Sequence, residues 1–196
     1  SLIMNESVDQ YIHDLVPPRD RVLQEIEELA ASQQIPIVGP AVGRLLQQLS
    51  KLTNAVRVFE MGSAVGYSTI WLSRGVVTGG KVYYTDSSPD KAAIAQRYFD
   101  RAGVRDKVEI LVGNSLDLID DTEGEFDIVF NDVDKHYYPQ VYDRVRNRVR
   151  VGGLLVTDNV LWSGKVVNKR DNDPDTAGIR KFNTVLCADR KYLTTV

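Results

Sequence analysis

Residues 56–73 read VRVFEMGSAVGYSTIWLS, and their grammar decides the fold. VRVFEM has the apolar, β-branched character of a buried strand; glycines follow at 62 and 66, and YSTIWLSRG then continues with helical spacing. The same sentence repeats downstream. KVYYTD (81–86), VEILVG (108–113), FDIVFND (126–132) and LLVTDNV (154–160) read as four more strands. PDKAAIAQRYFDRAG (89–103), SLDLIDD (115–121) and YYPQVYDRVRNRV (137–149) read as the helices between them. Near-continuous apolar strands alternating with helices imply a mostly parallel sheet covered on both faces, because parallel neighbours need a crossover connection. The expected fold is therefore a doubly wound α/β domain.

Upstream of residue 56 the periodicity is helical throughout: SVDQYIHDLV (7–16), PRDRVLQEIEELAASQ (18–33) and PAVGRLLQQLSKL (40–52). The glycine pairs at 79–80 and 152–153 read as turns preceding strands. SGKVVNKRDNDPDTAG (163–178) is the longest polar stretch, and a loop of that length predicts a lid or a mobile segment. TAGIRKFNTVLCAD (176–189) is helix-like, and the final RKYLTTV (190–196) is either an edge strand or the start of an element cut short.

Composition narrows the chemistry. The chain has 196 residues, 43% apolar and 26% charged, a size suited to one core, so 1–196 is expected to form a single domain. Its formal charge of −3 gives no general attraction to nucleic acid or anionic membrane and favours a small-molecule or protein partner. No run approaches the roughly 20 apolar residues of a membrane span, and the N-terminus lacks the plan of a signal peptide, so a cytoplasmic setting is the expectation. Cys187 is alone, which excludes a disulfide framework or a cysteine metal cluster and suggests a small buried apolar group. With only His13 and His136, a histidine zinc site is excluded too.

In open α/β sheets ligands bind beyond the carboxyl ends of the strands, so those ends are where to read function. After the first strand the glycine spacing is GxxxG, neither GxGxxG nor a loop ending in GK[ST]; a dinucleotide pyrophosphate is disfavoured. Asp86 ends the second strand, where a carboxylate fork can accept both ribose hydroxyls or else cap the next helix. Ser115, after the third, is placed either to cap its helix or to meet an adenine edge. These positions suggest a ribose-bearing cofactor with no phosphate to cradle.

The fourth and fifth strands end in NDVDKHY (131–137) and TDNV (157–160). Asp132, Asp158 and Asn159 form an oxygen-only donor set suited to a hard divalent cation such as magnesium or calcium. Lys135, three residues after Asp132, would have its pKa lowered by a nearby cation and desolvation and could act as a general base; otherwise Asp132, Asp134 and Lys135 merely cap the helix starting near Tyr137, with Lys135 an exposed surface charge. Trp162 is expected either to wall a flat aromatic substrate or to fill core. Tyr137 and Tyr138 are expected to pack the helix start, His136 to be solvated, and the basic residues of 142–151 to form a wet helix face.

Together, VFEMGSAVGYSTIWLS, TDSSPDKAA, FDIVFNDVDKHYY and GGLLVTDNVLWSGKVV resemble the cation-dependent O-methyltransferases that use S-adenosylmethionine, the catechol and caffeoyl-coenzyme A O-methyltransferase family. The likeness spans residues 36–187, and DVDK followed by DNVLW carries most of it. It implies a Rossmann-like methyltransferase core at 56–196 under a helical cap at 1–55. By position it implies cofactor contacts at Val38, Glu60, Gly62, Tyr67, Ser68, Asp86, Ser115 and Asp132. It also implies metal ligands at Asp132, Asp158 and Asn159, with Lys135 as catalytic base. The implied reaction moves a methyl group to a hydroxyl of a vicinal diphenol, and a homodimer is implied as well. Family members continue past a position like 196 into a closing strand pair, so an incomplete sheet edge is expected.

Overall fold

The computed structural model describes residues 5–196. Five strands, β1 (Arg57–Met61), β2 (Lys81–Asp86), β3 (Val108–Val112), β4 (Phe126–Asn131) and β5 (Val149–Thr157), form one sheet in the order β3-β2-β1-β4-β5. Every pairing is parallel. The chain winds outward from β1 to β3, then crosses back to lay β4 against the other side of β1. Strand order reverses between β1 and β4, and the cleft in which the site lies opens at the carboxyl ends of the strands there.

Period-two alternation assigns the two faces. Val58, Val82, Ile128 and Phe130 point to one side and pack with α3 (Gly39–Leu52) and α4 (Tyr67–Ser73). Beside them α2 (Arg21–Gln33), α4 and α5 (Pro89–Arg101) close over Tyr84. Phe59, Met61 and Val129 point the other way, under α6 (Ser115–Asp121) and α7 (Tyr138–Val145). β1 is buried on both faces, as a central parallel strand must be. The helices begin at identifiable caps: Asp20 for α2, Ser88 before Pro89 for α5, and Asp173 before Pro174 for α8 (Pro174–Ala188). The remaining helix, α1 (Glu6–Asp14), buries none of its residues. Among the described residues no helix is long and apolar enough to cross a membrane; residues 1–4, part of the N-terminus read above for a signal-peptide plan, lie outside them.

Several expectations are corrected. Gly152 and Gly153 do not precede the last strand but lie inside β5, where the register shifts between Phe126 and Ile128. Gly152 has φ +79°, and a Cβ on Gly153 would lie 2.7 Å from the Asp127 carbonyl oxygen, so this bulge needs glycine. The basic run is not a wet helix face. α7 stops at Val145, and the arginines beyond it staple loops together. Arg146 forks onto Asp189 at 2.6 and 3.1 Å, Arg148 donates to the Ile119 carbonyl at 2.6 Å, and Arg150 reaches Asp127 at 2.5 Å. Residues 193–196 form no strand; before them Tyr192 donates to the Arg146 carbonyl at 2.9 Å. Cys187 is exposed, on the outer side of α8.

Candidate active site

A cleft of about 820 Å³ runs along the carboxyl ends of the strands, and it has two chemically different halves.

In the first half the glycine loop meets the β4 end. Gly62 has φ +82°, and a Cβ there would lie 2.6 Å from the Asp132 carbonyl oxygen; only glycine lets the two loops touch. Asp86 is held by both flanking loops, one carboxylate oxygen accepting from the Ala64 N–H and the other from the Ser88 N–H, each at 2.9 Å. Each oxygen thus accepts one backbone hydrogen bond, and Asp86 lines the cleft. Ser88 caps α5, so capping is not the task of Asp86. Ser115 does not cap α6 either. Asn114 does, while Ser115 pairs its hydroxyl at 2.6 Å with that of Thr85, which donates at 2.6 Å to the Glu60 carbonyl. Gly62, Asp86 and Ser115 line this half, together with Ile35, Pro36 and Ile37 from the apolar run that joins α2 to α3.

Val38, Glu60, Tyr67 and Ser68 stand behind the lining. Val38 packs into the core at the start of α3. Tyr67 donates at 2.7 Å to Glu27, whose carboxylate Arg19 grips at 2.8 and 3.0 Å, tying the glycine loop to α2. Glu60 is fully buried and accepts from the hydroxyls of Ser68 and Thr69. Burial raises its pKa to about 7, although those hydroxyls pull the other way. A carboxyl with a raised folded-state pKa holds its proton while the unfolded chain has lost it. The stability it supplies is thus complete below about pH 4.5 and lost as pH rises through about 7. Glu60→Gln is expected to flatten this dependence. Denaturant unfolding of both proteins should show the variant gaining up to about 3 kcal/mol relative to wild type between those pH values.

The second half gathers the polar strand ends. Asp132, Lys135, Asp158, Asn159 and Trp162 all line it. The Lys135 ammonium donates to Asp132 at 2.7 Å and to the Val133 carbonyl at 3.1 Å, and lies 5.2 Å from the Tyr138 ring centroid. The side chain is buried, not a solvent-facing charge. Tyr138 packs as expected, with its hydroxyl fixed to the Asp158 carbonyl at 2.7 Å. Asp158 continues the ladder beyond β5, its N–H on the Asn131 carbonyl, and Asn159 follows with φ +61°. Asp132 remains short of positive charge: desolvation raises its pKa to about 6 despite the touching lysine, and Asp158 adds to the rise. Among the described residues there is no group of three His, Cys, Asp or Glu that could hold a metal; Asp132, Asp158 and Asn159 offer two carboxylates and one amide oxygen to the cleft. Two oxygen-bearing anions with a single neighbouring cation fit a hard dication.

Tyr137, Asp134 and Asp175 also line this half, unforeseen from the sequence as site residues. His136 is exposed, as expected, and its ring nitrogen lies 3.1 Å from Asp175. The stretch 163–178 is not one long loose loop. Residues Trp162–Val167 form 3₁₀ turns, α8 already begins at Pro174, and Arg180 donates to the carbonyls of Lys165, Val166, Asn168 and Asp171.

The doubly wound sheet thus carries an acid at the end of β2 and a carboxylate–lysine cluster beyond β4 and β5 along one cleft. The model of the O-methyltransferase family matches residues 16–195, and the chain belongs to that family. It is 36% identical to a catechol O-methyltransferase of Niastella koreensis over 97% of this chain and 89% of that protein. It is 27% identical to the caffeoyl-CoA O-methyltransferase of Stellaria longipes over 97% of this chain and 85% of the relative. The O-methyltransferase of Bacillus cereus in complex with SAH superposes with a TM-score of 0.86 at 35% identity, covering 94% of this chain and 86% of the other. The chain is thus an S-adenosylmethionine-dependent O-methyltransferase with the doubly wound fold of those enzymes.

Proposed function

We propose that this enzyme moves the methyl group of S-adenosylmethionine to one hydroxyl of a vicinal diphenol with the help of a divalent cation. The observation that supports it best is the meeting of Asp132, Lys135, Asp158 and Asn159 in one half of a cleft whose other half ends in Asp86. Asp86 would accept the ribose hydroxyls, the Gly62 loop would pass close to the methionine part, and Ser115 would border the base. Val38, Glu60, Tyr67 and Ser68 would support that half from behind, Glu60 by fixing the start of α4 and Tyr67 through Glu27.

Asp132, Asp158 and Asn159 would hold the cation, magnesium or calcium. When bound, it lowers the pKa of a coordinated hydroxyl. Lys135, once in its neutral amine form, would take the proton from the attacked hydroxyl, and the ammonium so formed would pair with Asp132. Trp162 and Tyr137 would flank the ring and keep the phenol oxygen in line with the donor methyl, an orientation effect of large kinetic weight.

The experiment is methyl transfer from labelled S-adenosylmethionine, with magnesium, to catechol, resorcinol, phenol and caffeate. Catechol and caffeate should each give a monomethyl ether, whereas resorcinol and phenol should react at least about a hundredfold more slowly, because neither offers two adjacent oxygens. Equal rates with phenol and catechol would remove the diphenol from the reading.

A further inference from the structure

We propose that Asp175, in the first turn of α8, is a positioning residue for Lys135. The proposal rests on the reading of Lys135 as the base.

The ammonium end of Lys135 is held by Asp132, the Val133 carbonyl and the Tyr138 ring. Its backbone is held far less by its own segment. Lys135–Tyr137 is one turn of 3₁₀ helix, and Asp134 before it makes no side-chain cap. A turn of three residues has poor internal hydrogen bonding and needs an outside restraint to define it.

α8 supplies that restraint. A carboxylate oxygen of Asp175 accepts the backbone N–H of His136 at 3.0 Å and lies 3.1 Å from the His136 ring nitrogen. One turn further on, Gly178 seats α8 directly against the base: a Cβ there would lie 2.6 Å from the Lys135 carbonyl oxygen and 3.0 Å from the His136 Cα. Residues three apart share a helix face, so Asp175 and Gly178 form one contact surface for the turn. The same helix carries the opposite wall of the cleft. Asn183 donates at 2.8 Å to the Val160 carbonyl, and Arg180 binds the segment after Trp162 through four carbonyls. The Lys135 turn and the segment around Trp162 are thereby both tied to α8.

Displacement of a reacting group by about 1 Å costs on the order of a hundredfold in rate. Asp175→Ala is expected to lower kcat for catechol, with S-adenosylmethionine and magnesium, by about 10- to 100-fold. The calorimetric Kd for S-adenosylmethionine should change less than about twofold, since Asp175 lies in the other half of the cleft. Asp175→Asn keeps an acceptor oxygen and is expected to recover most of the rate. Gly178→Ala, which pushes on the lysine carbonyl, should lower kcat as Asp175→Ala does. Independently of activity, hydrogen exchange at the His136 amide should quicken in Asp175→Ala.

A wild-type kcat for Asp175→Ala, with Lys135→Met inactive, would overturn the positioning role and leave the base reading intact. A rate for Asp175→Asn as low as that of Asp175→Ala would overturn it as well, because charge and not the acceptor would then matter. A wild-type rate for Lys135→Met would sink the base reading and this proposal together.

Discussion

Methyl transfer to catechol is expected to stop in excess EDTA and to return with added magnesium, and Asp158→Ala is expected to make the loss permanent. The reason lies in the charge balance of the second half of the cleft. Asp158 adds to the cost of ionising Asp132, and with Lys135 touching it Asp132 still has a pKa of about 6. Such a pair is poorly compensated alone and well compensated by a dication, which supplies several kcal/mol of charge stabilisation to a reacting oxygen. The rate loss should accordingly reach about a thousandfold or more. A second readout separates binding from chemistry. Magnesium should raise the melting temperature of the wild type, because a ligand that binds only the folded state stabilises it by mass action. The Asp158→Ala protein should fold, since Asp158 meets its neighbours mainly through backbone groups, yet show no such rise. Full activity in chelator, or a magnesium-dependent melting shift that survives Asp158→Ala, would remove these ligands from the mechanism.

The sequence exposed those parts of the molecule whose signals are local. Strand β1 and the turn after it were readable because a strand buried on both faces is continuously apolar, and because the close approach at Gly62 and the tight entry to α4 at Gly66 admit only glycine. Asp86, Asp132 and Asp158 were readable because each ends a strand, and strand ends form the crevice. What stayed hidden depends on partners far along the chain. The arginines at 144–150 look like a solvated face until Asp120, Asp127 and Asp189 are brought to them. Gly152 and Gly153 read as a turn because a bulge inside a strand uses the same residues. Ser115 and Asn114 are both good caps, and only the position of Thr85 on β2 decides between them. Asp175 carried no signal as a cleft residue, since an acid in the first turn of a helix is common for reasons of the helix dipole alone.

Lys135→Met is the sharper test, with turnover expected to fall by about 10²- to 10⁴-fold, the usual worth of a positioned general base. Methionine suits the purpose because the lysine stem is buried, with the residue 8% exposed, and an unbranched apolar chain can occupy the same path over Tyr138. The substitution has a second consequence that must be separated from the first. Lys135 now holds the Asp132 pKa down, so its removal should raise that pKa above about 6 and weaken cation binding in mildly acidic buffer. Raising the pH to 8 or above returns Asp132 to its ionised form and should restore magnesium binding, measured by the melting shift. Turnover should not return with it. A variant that regains both together would mean that Lys135 serves only to keep Asp132 charged, whereas one that regains metal binding alone leaves the lysine as the group that moves the proton. S-Adenosylmethionine affinity should be indifferent throughout, because Asp86 and its hydrogen bonds to Ala64 and Ser88 lie in the half of the cleft that the lysine does not line.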